Sequence, residues 1–174
     1  YRSDPRVGGQ GVFTANIARA LAARGHAVTI LSGPPYPDLP EGVTLQNLPS
    51  LDLFSQPLLG RYALRPRHLG SWTDIAEYFG HVSGKFMEPW SFGRRAANWL
   101  DERRGDFDVV LDNQCLADGL IDIDAHLPVV AVIHHPIRRD LEMQLSAEPD
   151  WKKRLLTRRW YGFVPMQERV ARQL

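Results

Sequence analysis

Sulfhydryls are almost absent: Cys115 is the one cysteine among 174 residues. The chain therefore cannot close an internal disulfide or build a cysteine metal site, and a reducing compartment is expected. Long hydrophobic runs are lacking too. The longest clear one, residues 129–133, is far short of the ~20 residues that cross a bilayer. No stretch reads as a signal peptide, so the expected location is the cytoplasm. There is no Gly-Lys-Ser/Thr of a Walker A loop and no Gly-x-Ser-x-Gly nucleophile elbow. Repeats and low-complexity tracts are missing as well. His26, His68, His81 and His126 show no ligand spacing. The adjacent His134 and His135, in extended chain, point to opposite faces, so no metal is expected.

What remains is an ordinary globular composition, 44% apolar and 24% charged, long enough for one well-cored domain and short for two. The net charge of +1 is unevenly spread. Residues 1–150 hold 14 Lys and Arg against 19 Asp and Glu, whereas residues 151–174 hold 7 against 1. Because the bulk of the chain is acidic, nucleic acid is not an expected partner.

The most informative stretch is Val7-Gly8-Gly9-Gln10-Gly11-Val12-Phe13-Thr14, a glycine-rich turn leading into an amphipathic helix over residues 11–24 with Phe13, Ile17 and Leu21 on one face. Gly25 stops it. Glycines let a ligand come close to the backbone, and a helix N-terminus offers N–H groups and partial positive charge, which together suit an anion or a hydroxyl. The same turn could equally serve to pack helix on sheet.

Three β-branched or apolar runs read as buried parallel strands: Ala27-Val28-Thr29-Ile30-Leu31, Val109-Val110-Leu111 and Val129-Val130-Ala131-Val132-Ile133. Residues 43–48 alternate as a more exposed strand. Helices are expected at Ser71-Trp72-Thr73-Asp74 onward, with Ile75, Ala76 and Phe79 as the apolar side and Gly80 as an interruption. Others are expected over residues 91–104, 116–121 and 151–164, with residues 49–70 a long loop. The fold class is α/β: a Rossmann-like open, mostly parallel sheet with helices on both faces, its first strand missing because Tyr1-Arg2-Ser3-Asp4-Pro5 is too short and polar to supply it. The chain also stops inside a helical pattern and reads as a piece of a longer protein.

Ligands of such sheets bind beyond the carboxyl ends of the strands. Ser32-Gly33, Asp112-Asn113-Gln114 and His134-His135 leave those ends, and the glycine turn belongs to the same rim. A dinucleotide site fits poorly: Gly9-x-Gly11-x-x-Thr14 ends in threonine, and Leu31-Ser32-Gly33 lacks the acidic residue that would hold a ribose. A nucleotide-dependent epimerase or dehydrogenase would have to carry bound NAD.

Val7-Gly8-Gly9-Gln10-Gly11-Val12, Leu21-x-x-Arg24-Gly25-His26-x-Val28-Thr29 and Ile133-His134-His135-Pro136 resemble the N-terminal domain of a family 4 glycosyltransferase, the retaining GT-B type, with Ser32-Gly33-Pro34-Pro35-Tyr36-Pro37 and Asp112-Asn113-Gln114 similar to an actinobacterial subgroup. The resemblance implies that residues 1–174 are the acceptor-side half of a two-domain enzyme. The second half, which holds the nucleotide-diphosphate sugar, lies outside this chain, and alone the fragment should be inactive. Gly9, Gln10 and Gly11 would lie near the donor diphosphate and the acceptor, and His134 would contact the transferred sugar as the catalytic residue. Asn113, Gln114 and His135 would bind acceptor hydroxyls. The nucleotide sugar is a co-substrate, and no cofactor or metal is implied. The acceptor is a glycan, small molecule or lipid. The competing class is a non-catalytic sugar- or nucleotide-binding or scaffold module of the same fold. The basic stretch 151–164 has two readings: peripheral contact with the inner face of a membrane, or, the favoured one, a solvated face beside a core stripe of Leu155, Leu156, Trp160, Phe163 and Val164.

Overall fold

The computed structural model describes all 174 residues. They form two compact units, Tyr1–Ser50 and Leu51–Leu174.

In the first unit, helix α1 (Gly9–Ala23) is followed by strands β1 (Val28–Ser32) and β2 (Val43–Asn47). The strands pair in parallel, Val28 beside Val43 through Ser32 beside Asn47. Ahead of the helix, Arg2 forms a further parallel bridge to Gly33, and the Gly33 N–H donates to the carbonyl of Tyr1 at 2.9 Å. The residues judged too polar for a strand thus contribute one bridge beside β1. Gly25 ends the α1 segment at φ 88°, a left-handed position that favours glycine.

The second unit holds short helix α2 (Leu58–Tyr62), then α3 (Trp72–Val82), α4 (Glu88–Asp101), β3 (Val110–Asn113), α5 (Gly119–Asp124), β4 (Val129–Val132), α6 (Ile137–Ala147), α7 (Trp151–Trp160) and α8 (Val164–Ala171). Strands β3 and β4 pair in parallel from Val110 beside Val129 to Asn113 beside Val132. Parallel pairing is as expected for the α/β class, but the strands hydrogen-bond as two separate pairs rather than as one continuous sheet. Nor are the β3 and β4 runs buried throughout. The paired Leu111 and Val130 are 42% and 51% exposed, because the side chains alternate between faces and only one face is covered.

Helix α3 starts where the capping pattern put it: the Ser71 hydroxyl accepts from the Asp74 N–H at 3.1 Å and donates to the Asp74 carboxylate at 2.7 Å. It does not break at Gly80, whose bare Cα faces the Met87 side chain; a Cβ there would lie 2.4 Å from Met87 Cγ. Its buried residues are Glu77, Tyr78 and His81, while Phe79 of the expected apolar side is exposed. Polar partners turn the helix: Arg95 reaches Asp74 at 2.6 Å and Glu77 at 2.7 Å, and the Tyr78 hydroxyl donates to the Tyr62 carbonyl at 2.7 Å. Residues 49–70 are ordered by α2 and two 3₁₀ turns, Leu53–Ser55 and Pro66–Leu69.

Helices α4 and α5 pack through small residues; a Cβ on Gly93 would meet the Ala117 Cβ at 2.2 Å and one on Gly119 the Gly93 carbonyl at 2.4 Å. Helix α6 was not anticipated, and its sequence IRRDLEMQLSA buries no residue. The tail is two helices, with Pro165 in the first turn of α8 where its missing N–H costs nothing. The expected core stripe along α7 is absent: Leu155 and Leu156 are exposed, and burial begins at Phe163 and Val164. No helix is long and apolar enough to cross a membrane.

Candidate functional site

The glycine turn belongs to the first unit. Gly8 is the N-cap of α1, with extended backbone, and Gly9 is the first helical residue; Cβ atoms on either would meet nothing within 4 Å. Gly11 is different. It is buried, and a Cβ there would lie 2.3 Å from the Asp4 carbonyl oxygen and 2.7 Å from the Pro5 nitrogen. The third glycine therefore serves the approach of the chain to itself, and the open backbone is at Gly8 and Gly9. Half-buried Gln10 lies between them. Beside this turn the Asp4 carboxylate accepts from the Arg6 backbone N–H at 2.9 Å and from its guanidinium at 2.9–3.1 Å. These hydrogen bonds hold the Asp4 carboxyl below the usual range.

The other expected site residues all lie in the second unit, where the parallel register sets the end of β3 beside the end of β4. Asn113, the last residue of β3, is half-buried, and its Oδ1 pairs with Nε2 of the exposed His134 just past β4. That contact orients the imidazole. Gln114 is buried, and its carboxamide is spent on backbone: the oxygen accepts from the N–H of His134 at 2.7 Å and of His135 at 3.3 Å, and the nitrogen donates to the His135 carbonyl at 2.7 Å. The side chain expected to meet an acceptor hydroxyl is thus hydrogen-bonded to backbone at both its oxygen and its nitrogen. His135 turns to Asp140 of α6, Nε2 to Oδ2 3.3 Å, with both side chains partly exposed.

Three further residues shape this corner. Asp112 is buried; its carboxylate accepts from the Leu116 N–H at 3.0 Å, and burial pushes its pKa up. Gln114 and Leu116 both have left-handed backbones, φ 52° and 47°, so the chain turns sharply off β3 with Asp112 as the brace. Behind it, Gln167 of α8 donates to the Cys115 carbonyl at 3.0 Å and the Gln114 carbonyl at 3.4 Å. Nothing local in the sequence signals Gln167, more than fifty residues away. The Cys115 thiol donates to the Pro89 carbonyl at 3.4 Å and, fully enclosed, has its pKa pushed up to about 12, so it is no nucleophile.

An imidazole hydrogen-bonded to a carboxamide thus lies at the end of paired parallel strands in an α/β unit, the edge where such sheets bind ligands. The sequence of residues 7–172 matches Glycosyltransferase Family 4. The chain is also 48% identical over 176 aligned positions to an MMP alpha-(1->4)-mannosyltransferase of Mycolicibacterium hassiacum; the match covers 100% of this chain and 42% of that protein. The chain belongs to glycosyltransferase family 4, as the N-terminal domain of a bacterial member. It spans about two fifths of the length of the relative it matches.

Proposed function

We propose that the protein carrying this domain transfers a sugar, with retention, from a nucleotide-diphosphate donor to an acceptor hydroxyl, and that this domain holds the acceptor. The observation that carries the proposal is the His134–Asn113 pair, locked from behind by Gln114. A transferring sugar gains positive charge while the leaving diphosphate gains negative charge, so the chemistry needs oriented dipoles and N–H donors more than a nucleophile. An imidazole held by Asn113 suits a hydroxyl of the transferred sugar. The amide end of α1 at Gly8 and Gly9 suits the diphosphate. Asn113 and His135 bind acceptor hydroxyls, and a second domain beyond this chain holds the nucleotide. Because the relative is described as an alpha-(1->4)-mannosyltransferase, a mannosyl donor is the first to try. Helix α7, with Trp151, Leu155 and Leu156 exposed among Lys152, Lys153 and Arg154, gives peripheral contact with an anionic membrane surface.

The test is a nucleotide-sugar panel with the full-length protein: one donor raises the melting temperature, and NMR of the product shows the anomeric configuration of the donor kept. A panel in which no nucleotide sugar stabilises the protein, or a product with inverted configuration, overturns the proposal.

A further inference from the structure

The second unit contains a cavity of about 350 Å³, bounded by the 54–62 segment and by helices α3, α6 and α7. Its volume falls in the range of small-molecule sites, about 300–1,000 Å³. Two walls are aromatic. Trp160 stacks on Phe86 at 5.0 Å and meets the Phe54 ring edge-on at 5.1 Å. His81 sits between Phe54, edge-on at 4.8 Å, and Tyr62, stacked at 5.4 Å.

His81 is 6% exposed, lines the cavity, and has no hydrogen-bond partner on either ring nitrogen. Leaving both unpaired in a protein interior is costly unless something that enters the cavity satisfies them. Burial, helped by the nearby Arg61 guanidinium, pushes its pKa down and keeps it neutral, one donor and one acceptor. Arg61 is pinned by Nη2 to the carbonyls of Phe54 at 2.8 Å and Gln56 at 3.2 Å, while its buried Nε has no partner. Thr157 adds a hydroxyl and Lys85 a cation, Gln144 donates to the Tyr161 hydroxyl at 2.7 Å, and no carboxylate lines the space.

Aromatic walls with hydrogen-bonding groups between them, the His81 ring nitrogens and Arg61 Nε unpaired, match a ring that has apolar C–H faces and a hydroxyl-bearing rim. We propose that this cavity binds one pyranose ring of an oligosaccharide, with Trp160 and Phe54 against its C–H surface and His81 and Arg61 hydrogen-bonded to its hydroxyls. The proposal rests on the glycosyl-transfer reading above: the oligosaccharide is the acceptor chain, and the bound ring is one other than the sugar that reacts.

The experiment uses the full-length protein and two variants. Thr157→Phe fills the cavity from a half-buried position on α7, and Trp160→Ala removes one wall. An α-(1→4)-linked mannotetraose is titrated while NMR follows the His81 imidazole. Mannotetraose shifts the His81 signals in the wild type, and both variants weaken binding about tenfold or more while the melting temperature of Thr157→Phe stays unchanged. In the transfer assay the variants lose kcat/KM for mannotetraose but not for methyl α-mannoside. Binding that survives in Thr157→Phe, a His81 response to inorganic phosphate but not to mannotetraose, or equal losses on both acceptors overturns the site. A wild type that binds mannotetraose at His81 yet transfers no sugar keeps the site and sinks the catalytic reading instead.

Discussion

The side chain of Gln114 grips the backbone of His134: its carboxamide oxygen accepts the His134 N–H at 2.7 Å, while its nitrogen donates to the next carbonyl, that of His135, at 2.7 Å. Replacing Gln114 by Ala leaves buried backbone groups unpaired, and urea unfolding should show a loss of about 1–3 kcal/mol. Turnover of the full-length protein should fall further than donor KM rises, because Gln114 places the imidazole without touching substrate. Gln114→Glu keeps the acceptor oxygen and loses the donor, so it should recover part of the turnover. Equal turnover in wild type and Gln114→Ala would remove the clamp from the account.

Two glycines two positions apart should respond oppositely. Gly11→Ala drives a Cβ into the Asp4 carbonyl and should cost at least about 2 kcal/mol in chemical denaturation. Gly9→Ala meets open space and should leave stability unchanged or raise it by up to about 1 kcal/mol. In the full-length enzyme the same Gly9→Ala change should raise donor KM several-fold, since its methyl group occupies the approach to the helix end. A destabilised Gly9→Ala protein, or one with unaltered donor KM, would contradict the assignment.

Acid should weaken the second unit through its buried imidazoles. His68 and His81 are both held below the ordinary imidazole pKa, chiefly by burial. A depressed folded-state pKa means that the stabilising form is neutral. Its contribution is whole above the unfolded value of about 6.5 and is lost as pH falls through the folded values. Asp112 works in the opposite sense. Its folded pKa is raised, so its contribution is whole below the unfolded value of about 3.9 and is lost as pH rises through the folded one. Asp112→Asn, which keeps an acceptor for Leu116, should therefore unfold at a higher urea concentration than wild type at pH 7. Lower stability of that variant at pH 7 would show that the carboxylate is needed ionised.

Arg95 holds two helices by its charge. It reaches Asp74 at 2.6 Å and Glu77 at 2.7 Å, and the Glu77 side chain is 3% exposed. Arg95→Ala strands a buried carboxylate and should cost about 3–5 kcal/mol. Adding Glu77→Gln should return a large part of that loss; a double variant no better than the single one would assign the effect to lost packing.

The elements with a strong local signal were legible in the sequence. Gly25 and the Ser71–Asp74 cap fixed helix ends because each is a local backbone demand; β1 stood out by β-branching and β2 by alternation. What escaped has non-local causes. The buried side of α3 was misjudged because Arg95, twenty-one residues from Asp74, pairs Glu77 and outweighs the exposure of Phe79. Helix α6 repeats Ile137, Leu141 and Leu145 four apart but buries none of them. At the site, strand-end logic brought Asn113, Gln114, His134 and His135 together, but whether Gln114 faces ligand or backbone depends on side-chain direction, which spacing does not encode. The cavity at His81 joins residues 54 to 161, a span over which no sequence motif extends.

The most direct test of the central claim is the initial rate of mannosyl transfer by full-length protein with and without the His134 imidazole. The account predicts that His134→Ala lowers kcat by about 10²–10³-fold with an unchanged melting temperature, since the ring is exposed. A His134→Ala enzyme that turns over at the wild-type rate would contradict it.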